Sequence, residues 1–124
     1  MNESLVLRRV RGQGRGVFAG RAFRAGEVIE VCPVIPLTAA EADTCAVTVL
    51  DNYFFEWGPD GNAYALALGY GALYNHAADP NAAFSCRIRQ LEIVFRATRP
   101  IKAGEQITID YQWPDTSQMP PSRV

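Results

Sequence analysis

Two short segments contain the side chains whose types and spacing could do chemistry. Residues 70–81 (YGALYNHAADPN) place the amide of Asn75 and the imidazole of His76 in a polar turn between apolar runs. Residues 104–111 (GEQITIDY) form a glycine-led strand pattern that ends in the phenol of Tyr111. These three groups can donate or accept hydrogen bonds, which is what the binding or orientation of a polar ligand requires.

Taken alone, each of these residues also has a structural explanation. A lone histidine in an apolar stretch is commonly a core residue, an asparagine before it forms turns, and a tyrosine in a strand pattern is a half-buried aromatic. Behind them, Asp79, Pro80 and Asn81 predict a locked turn. In that turn the proline fixes φ and the asparagine bonds local backbone groups.

Glu105 and Asp110 do not form a carboxylate pair for acid and base chemistry. They lie five residues apart on a predicted strand, and an odd separation places two side chains on opposite faces. We expect Glu105 to bond the amides of its turn, and Asp110 to point outward or toward a neighbouring loop.

The polar side chains named above must be positioned by the rest of the chain, which consists mainly of short apolar runs interrupted by Gly, Pro and Asn. Runs of this kind predict β-strands. The runs are LVLRRV, GVFA, EVIEVCPVI, ALALGYGALY, LEIVFRA and EQITIDY. Thr38 and Glu41 have the spacing of a capping box and predict a short helix. After that helix, VTVLDNYFFEW resumes as a strand or a mixed segment. The chain is therefore expected to be mainly β.

One pattern occurs twice along the chain. Residues 23–29 and 101–107 share the order apolar, basic, Ala-Gly-Glu, any residue, Ile. Glycine adopts a positive φ at no steric cost, and β-branched residues favour strands. The repeat predicts two similar entries from a turn into a strand.

Length and composition describe an ordinary globular protein. The 124 residues form one domain by size, with 48% apolar and 20% charged residues. The net charge of −1 argues against direct binding of nucleic acid or of an anionic membrane. The chain has neither an apolar run long enough to cross a membrane nor the apolar core of a signal peptide. A cytoplasmic location is expected, with a nuclear or host-nuclear one left open.

The three cysteines, Cys32, Cys45 and Cys86, are widely separated and form no C-x-x-C pair. This spacing indicates neither a disulfide framework nor a zinc cluster, so no metal site is predicted. We expect the thiols to be buried.

The two chemical segments, taken with Gly14 and Gly16, resemble the SET domain, the fold of protein lysine methyltransferases. Residues 14–35 (GRGVFAGRAFRAGEVIEVCPVI) are similar to the opening segment of that family, so the resemblance spans nearly the whole chain. It is nearest to the short stand-alone SET proteins of viruses and bacteria, which lack zinc-binding flanks. The expected fold is a SET domain of the β-clip type, over residues 1–113, followed by a tail, 114–124. Several small twisted sheets would surround a threaded C-terminal segment.

The resemblance implies S-adenosylmethionine as the cofactor. The loop of Gly14, Arg15 and Gly16 would let the backbone approach it closely, because glycine has no Cβ. Asn75 would hold the amino acid end of the cofactor, and the backbone of His76 would meet its adenine, while the imidazole bonds within the fold. Arg15 belongs to this loop by its place between the glycines, with no separate role.

The resemblance also implies that Tyr111 lies at the methyl-transfer centre and that Tyr53 lines a lysine channel. The reaction is a direct attack of a neutral lysine amine on the methyl group of a sulfonium, and its main requirement is positioning. Further aromatic candidates for the channel, each expected to be core or support, are Tyr70, Tyr74 and Trp113.

The function implied is S-adenosylmethionine-dependent methylation of a lysine in a histone or another basic protein. Without zinc-binding flanks, a second copy of the chain could complete the channel, so a homodimer through the C-terminal segment is expected. Two alternatives remain at this point. One is a SET-fold binding module without turnover, and the other is a ligand-binding β-clip domain of the SAF type.

Overall fold

The computed structural model describes residues 4–58 and 62–111, and within these ranges nine strands form two sheets. The four-stranded sheet has the order β1-β2-β9-β6, and its strands are β1 (Leu5–Val10), β2 (Gly14–Ala19), β6 (Asn75–His76) and β9 (Gln106–Ile109). The five-stranded sheet has the order β4-β5-β3-β8-β7, and its strands are β3 (Val28–Thr38), β4 (Phe54–Trp57), β5 (Ala63–Ala67), β7 (Ala82–Arg87) and β8 (Glu92–Ala97). The expectation of a mainly β fold is confirmed.

Strand β9 lies between two strands that come from distant parts of the chain. On one side it pairs with β2 in antiparallel fashion, with Val17 opposite Ile107. On the other side it runs parallel to β6, with Asn75 opposite Thr108. The C-terminal strand is therefore threaded between the opening hairpin and the Asn75-His76 segment. This arrangement confirms the predicted fold.

The core is one cluster of buried side chains to which both sheets contribute, and alternation along the strands fills it. In β9, Ile107 and Ile109 are fully buried while Gln106 and Thr108 are half-buried, which is the period of two of a strand. In the five-stranded sheet, Phe95 of β8 is fully buried, and its ring packs against the ring of Tyr74 at a centroid distance of 4.5 Å. Burial of these side chains holds the threaded strand in the protein.

The repeated Ala-Gly-Glu pattern folds into two matching turns, as predicted. In each, a glutamate carboxylate accepts a hydrogen bond from the backbone N–H three residues before it, and a glycine has a positive φ. The bonded pairs are Arg24 with Glu27 (2.9 Å) and Lys102 with Glu105 (3.0 Å), and the glycines are Gly26 (84°) and Gly104 (90°). In the second turn, the backbone hydrogen bond from Lys102 lowers the pKa of Glu105. An antiparallel bridge between Phe23 and Ile101 places the turns side by side.

The predicted capped helix is also present. Helix α1 (Ala39–Thr44) begins after Thr38, whose side chain accepts a hydrogen bond from the backbone N–H of Glu41, while the Glu41 carboxylate accepts one from the backbone of Thr38. Two short 3₁₀ turns, at Cys45–Val47 and Val49–Asn52, lead from α1 to β4. The mixed segment expected here is thus a 3₁₀ turn followed by a strand.

Three local predictions were wrong. The run ALALGYGALY is a strand only to Ala67, because the chain then turns at Gly69 (φ 64°) into a 3₁₀ turn at Gly71–Leu73. Strand β7 was missed. Asn81 does not cap its own turn, since its amide bonds the backbone of β9, accepting from Thr108 N and donating to the oxygen of Gln106, each over 2.9 Å.

The thiols are less buried than expected. Cys32 is buried, but Cys45 is half-buried and Cys86 is exposed, because β7 is an edge strand of its sheet. The described part of the chain contains no group of three or more potential metal ligands. It also contains no helix that is long and apolar enough to cross a membrane.

Candidate active site

A cleft of about 460 Å³ opens beside the C-terminal end of β9. Tyr111 forms part of its wall, together with side chains from α1, the following 3₁₀ turns, β4, β5 and β7. The other aromatic residues of the wall are Phe54, Phe55, Tyr64 and Phe84. The cleft therefore combines apolar rings with one phenol that the sequence had marked.

The charged side chains that the described residues contribute to the cleft are all acidic. Asp43, Asp51 and Glu56 line it, and among the described lining residues there is no lysine or arginine. A cleft lined by one sign of charge attracts ligands of the opposite sign. The chemistry of this wall therefore suits a cationic ligand with an aliphatic stem.

Tyr111 is held at both ends by the segment around β6. Its backbone N–H donates to Nδ1 of His76 over 3.0 Å, and its hydroxyl donates to the backbone oxygen of Tyr74 over 2.8 Å. The rings of His76 and Tyr111 lie 5.0 Å apart at an angle of 50°. The parallel pairing of β6 with β9 thus brings the two chemical segments of the sequence together.

The imidazole of His76 is bonded within the fold, as expected. Because Nδ1 accepts the backbone N–H of Tyr111, the neutral ring carries its proton on Nε2. The nearest carboxylate oxygen to Nδ1 belongs to Asp110, at 3.8 Å, and this side chain is 57% exposed. His76 thus orients Tyr111, and Nδ1 is not placed to act as a general base.

Asn75 presents a buried amide beside the opening hairpin. The residue is only 3% exposed, and its Nδ2 donates to Oε1 of Gln106 over 2.9 Å and to the backbone oxygen of Arg15 over 3.1 Å. A longer contact of 3.4 Å joins Nδ2 to Oε1 of Gln13. The described residues provide no donor for Oδ1. A buried acceptor that has no donor among the described residues fits a ligand that carries an ammonium group.

The glycine loop has a structural cause in addition to its expected role. A Cβ on Gly16 would lie 2.5 Å from Oε1 of Gln106 and 2.9 Å from Nδ2 of Asn75, so a side chain there would displace both amides. Gly14 has a φ of 76° at the start of β2, and Arg15 exposes its side chain while its carbonyl bonds Asn75. The contact between Asn75 and Gln106 already accounts for Gly16, and the cofactor role of this loop stays a prediction.

Tyr53 is buried, and it ends the second 3₁₀ turn by donating its backbone N–H to Leu50. Its neighbours Asn52 and Phe54 line the cleft, whereas Tyr53 is not among the described lining residues. Its role in a lysine channel stays a prediction. Tyr74 and Tyr70 are core and support, as expected, and Trp113 lies outside the described residues.

Sequence analysis missed Glu30, Gln106, Tyr64 and Phe84. Gln106 lies inside the motif GEQITIDY, and its position on the half-buried face of a strand was the available signal. Glu30 is an acid within an apolar strand run, which is itself a signal because such a group needs partners. Tyr64 and Phe84 gave no local signal, since only the tertiary fold brings β5 and β7 to the cleft.

The threaded strand and the site it assembles define a β-clip domain with an acidic, aromatic cleft. A family model for the SET domain matches residues 14–112. The chain therefore belongs to the SET-domain family of protein lysine methyltransferases. This membership removes the SAF-type alternative.

Similar proteins carry related names. The chain is 33% identical over 108 residues to a histone-lysine N-methyltransferase, H3 lysine-37 specific, of Schizosaccharomyces pombe, and the match covers 86% of this chain and 72% of that protein. It is 34% identical over 134 residues to the histone-lysine N-methyltransferase Su(var)3-9 of Drosophila melanogaster, covering 94% of this chain. The chain spans only 21% of that longer protein.

Solved structures show the same fold. A candidate histone methyltransferase of Plasmodium falciparum superposes with a TM-score of 0.72 at 28% identity, covering 90% of this chain and 95% of that one. The Polycomb Repressive Complex 2 of Chaetomium thermophilum superposes with a TM-score of 0.75 at 20% identity. That match covers 96% of this chain and 16% of the other, and it concerns the fold alone.

Proposed function

We propose that this protein transfers a methyl group from S-adenosylmethionine to a lysine of a histone or another basic protein. The observation that carries the proposal is the position of Tyr111 in the wall of an acidic, aromatic cleft, one strand pairing away from the buried amide of Asn75. The names of the similar proteins support a histone as substrate.

The residues around Asn75 fit the amino acid end of the cofactor. Oδ1 of Asn75 would accept a hydrogen bond from its ammonium group, and the backbone of residues 14–16 and of His76 would provide the remaining contacts. The bound cofactor supplies the electrophilic methyl group. All other requirements fall on the protein, which must hold the lysine amine in line and exclude water.

The aromatic part of the cleft would favour a neutral amine. Free lysine has a pKa of about 10.4, so its deprotonation at neutral pH costs about 4 to 5 kcal/mol. An apolar environment disfavours the charged form, and the rings of Phe54, Phe55 and Phe84 provide such an environment. Asp43, Asp51 and Glu56 would instead attract positive residues that flank the target lysine.

The hydrogen bond of Tyr111 defines how its phenol can act. Since its proton is donated to the backbone oxygen of Tyr74, the phenol oxygen meets the amine as an acceptor. It would accept an amine N–H and so direct the nitrogen lone pair toward the methyl group. This role is orientation, and it needs no side chain with the pKa of a general base.

Transfer of labelled methyl groups tests the proposal. Purified protein is incubated with labelled S-adenosylmethionine and either core histones, a basic protein that is not a histone, or an acidic lysine-containing protein. We expect label on lysine of a basic protein, and unchanged transfer when a chelator is added. Tight binding of the cofactor without transfer to any protein would instead support the inactive binding module.

Two further expectations stay predictions. A homodimer through residues 114–124 concerns a segment outside the described residues, and light scattering of the full chain measures it. The protein must be located where its substrate is. If the substrate is a histone, we therefore expect a nuclear location instead of the cytoplasmic one.

A further inference from the structure

Glu30 lies on β3, and each of its two carboxylate oxygens accepts a hydrogen bond from the segment that follows β5. Its Oε1 accepts the hydroxyl of Tyr74 over 2.7 Å, and its Oε2 accepts the backbone N–H of Tyr70 over 3.0 Å. Burial, and then the charge of Glu30, raise the pKa of the Tyr74 hydroxyl, so it remains a protonated donor. These two hydrogen bonds hold the carboxylate in one position.

The turn that follows β5 is shaped to fit this carboxylate. A Cβ on Gly69 would lie 2.5 Å from Oε2 of Glu30, and Gly69 also has a φ of 64°. A Cβ on Gly71 would lie 2.9 Å from Sγ of Cys32 and 2.7 Å from the Cβ of Ala67. Both glycines of the sequence Gly-Tyr-Gly are therefore required for the turn to lie against β3.

The same turn leads directly to the backbone oxygen of Tyr74, which accepts the hydrogen bond from the hydroxyl of Tyr111. Tyr74 is fully buried, with its hydroxyl on Glu30 and its ring against Phe95. Its backbone oxygen accepts the hydroxyl of Tyr111 over 2.8 Å. A displacement of Tyr74 would move this acceptor, and the phenol would then rotate its proton to another partner.

We propose that Glu30 is a positioning residue for Tyr111. The carboxylate holds the hydroxyl of Tyr74 and the backbone of Tyr70. It thereby fixes the backbone carbonyl of Tyr74, which accepts the hydrogen bond from the phenol. The oxygen of Tyr111 is thereby kept as an acceptor for the lysine amine. This inference rests on the proposed methyl transfer and on the role of Tyr111 in it, and it adds a residue that does not line the cleft.

A double-mutant cycle between Glu30 and Tyr111 tests the inference. Glu30→Gln keeps the shape but places an amide NH₂ group or a weaker acceptor against the donors of Tyr70 and Tyr74. We expect kcat to fall about tenfold or more, because small displacements of catalytic groups are costly, while KM for the cofactor changes less than about twofold. In the Tyr111→Phe background, the same substitution should change kcat by less than about twofold.

Glu92→Gln is the matched control. Glu92 lies on β8, pairs with Arg87 at 3.4 Å and does not line the cleft. Its substitution therefore removes the same charge as Glu30→Gln, but elsewhere on the five-stranded sheet. Its kcat should equal that of the parent. Thermal denaturation of each variant confirms that it is folded at the assay temperature.

If Glu30→Gln fails to fold, Tyr74→Phe takes its place in the cycle, because it removes the hydroxyl that binds Glu30 and keeps both the ring and the carbonyl. Equal losses of kcat in the parent and in the Tyr111→Phe background would overturn the inference, since they would show an effect that does not pass through the phenol. Full activity of the Glu30 variant would overturn it as well. Full activity of Tyr111→Phe alone would instead refute the proposed role of Tyr111.

Discussion

The buried amide of Asn75 donates to Oε1 of Gln106 over 2.9 Å, although 31 residues separate them along the chain. The bond joins the threaded strand β9 to the segment that precedes it in the site. Gly16 of the opening hairpin lies directly against both amides, so three distant parts of the sequence meet at this point. The orientation of the Asn75 amide depends on all three.

Gly16→Ala should weaken cofactor binding more than it destabilises the fold. The new Cβ would collide with the ends of two flexible side chains, Asn75 and Gln106, which can move aside. We expect a loss of about 1 kcal/mol in stability, at the low end of overpacking, and a cofactor affinity about tenfold lower. Calorimetric titration and thermal denaturation measure the two effects. Adding Gln106→Ala removes the closest contact and should restore part of the stability. If Gly16→Ala binds the cofactor as tightly as the parent protein does, the amide of Asn75 does not contact the cofactor.

Tyr111→Phe should lower methyl transfer without disturbing the cofactor. The ring and its packing remain, but the phenol oxygen that orients the amine is lost. Removing one preorganised polar group from a catalytic site typically lowers the rate by a factor of about 10² to 10³. Single-turnover transfer of labelled methyl groups and cofactor titration check the two parts. Transfer within a factor of about two of the parent rate would make Tyr111 a supporting aromatic and not a catalytic residue.

Asn81→Ala should destabilise the fold by about 2 to 3 kcal/mol, because two hydrogen bonds from a buried side chain to the backbone of β9 are lost. The residue is 2% exposed, and its amide bonds Thr108 N and the oxygen of Gln106. Urea denaturation gives the free energy of unfolding. Asn81→Asp retains the acceptor for Thr108, so its free energy of unfolding should lie between those of Asn81→Ala and the parent protein. Equal stability of all three proteins would show that β9 is held by side-chain burial alone.

A bound substrate should protect Cys86 from alkylation. Cys86 is exposed and lines the cleft, whereas Cys45 does not line it and serves as the internal control. Partial burial of the Cys86 thiol raises its pKa. The fraction of reactive thiolate, and with it the alkylation rate, therefore increases as the pH rises toward that pKa. Mass spectrometry follows iodoacetamide labelling of each cysteine with and without a methyl-accepting peptide. Equal labelling of Cys86 in both samples would place the peptide outside this cleft.

Local features of the sequence determined those parts of the fold that local forces form. The capping box at Thr38 and Glu41 produced its helix, because both hydrogen bonds lie within one turn. The two Ala-Gly-Glu turns formed as expected, because a glycine with positive φ and a carboxylate three residues from its donor act over short range. The motifs around Asn75 and Tyr111 were sufficient to indicate the family.

Only the tertiary structure decided how these motifs act on one another. Strand β7 escaped prediction because it is a mostly exposed edge strand, without apolar alternation, that forms by pairing with β8. Asn81 bonds a strand far along the chain instead of its own turn. The link from Glu30 through Tyr74 to Tyr111 spans three separate segments and leaves no periodic trace in the sequence. Sheet pairing and side-chain hydrogen bonds between distant residues depend on the threading of β9, and that threading is a property of the whole chain.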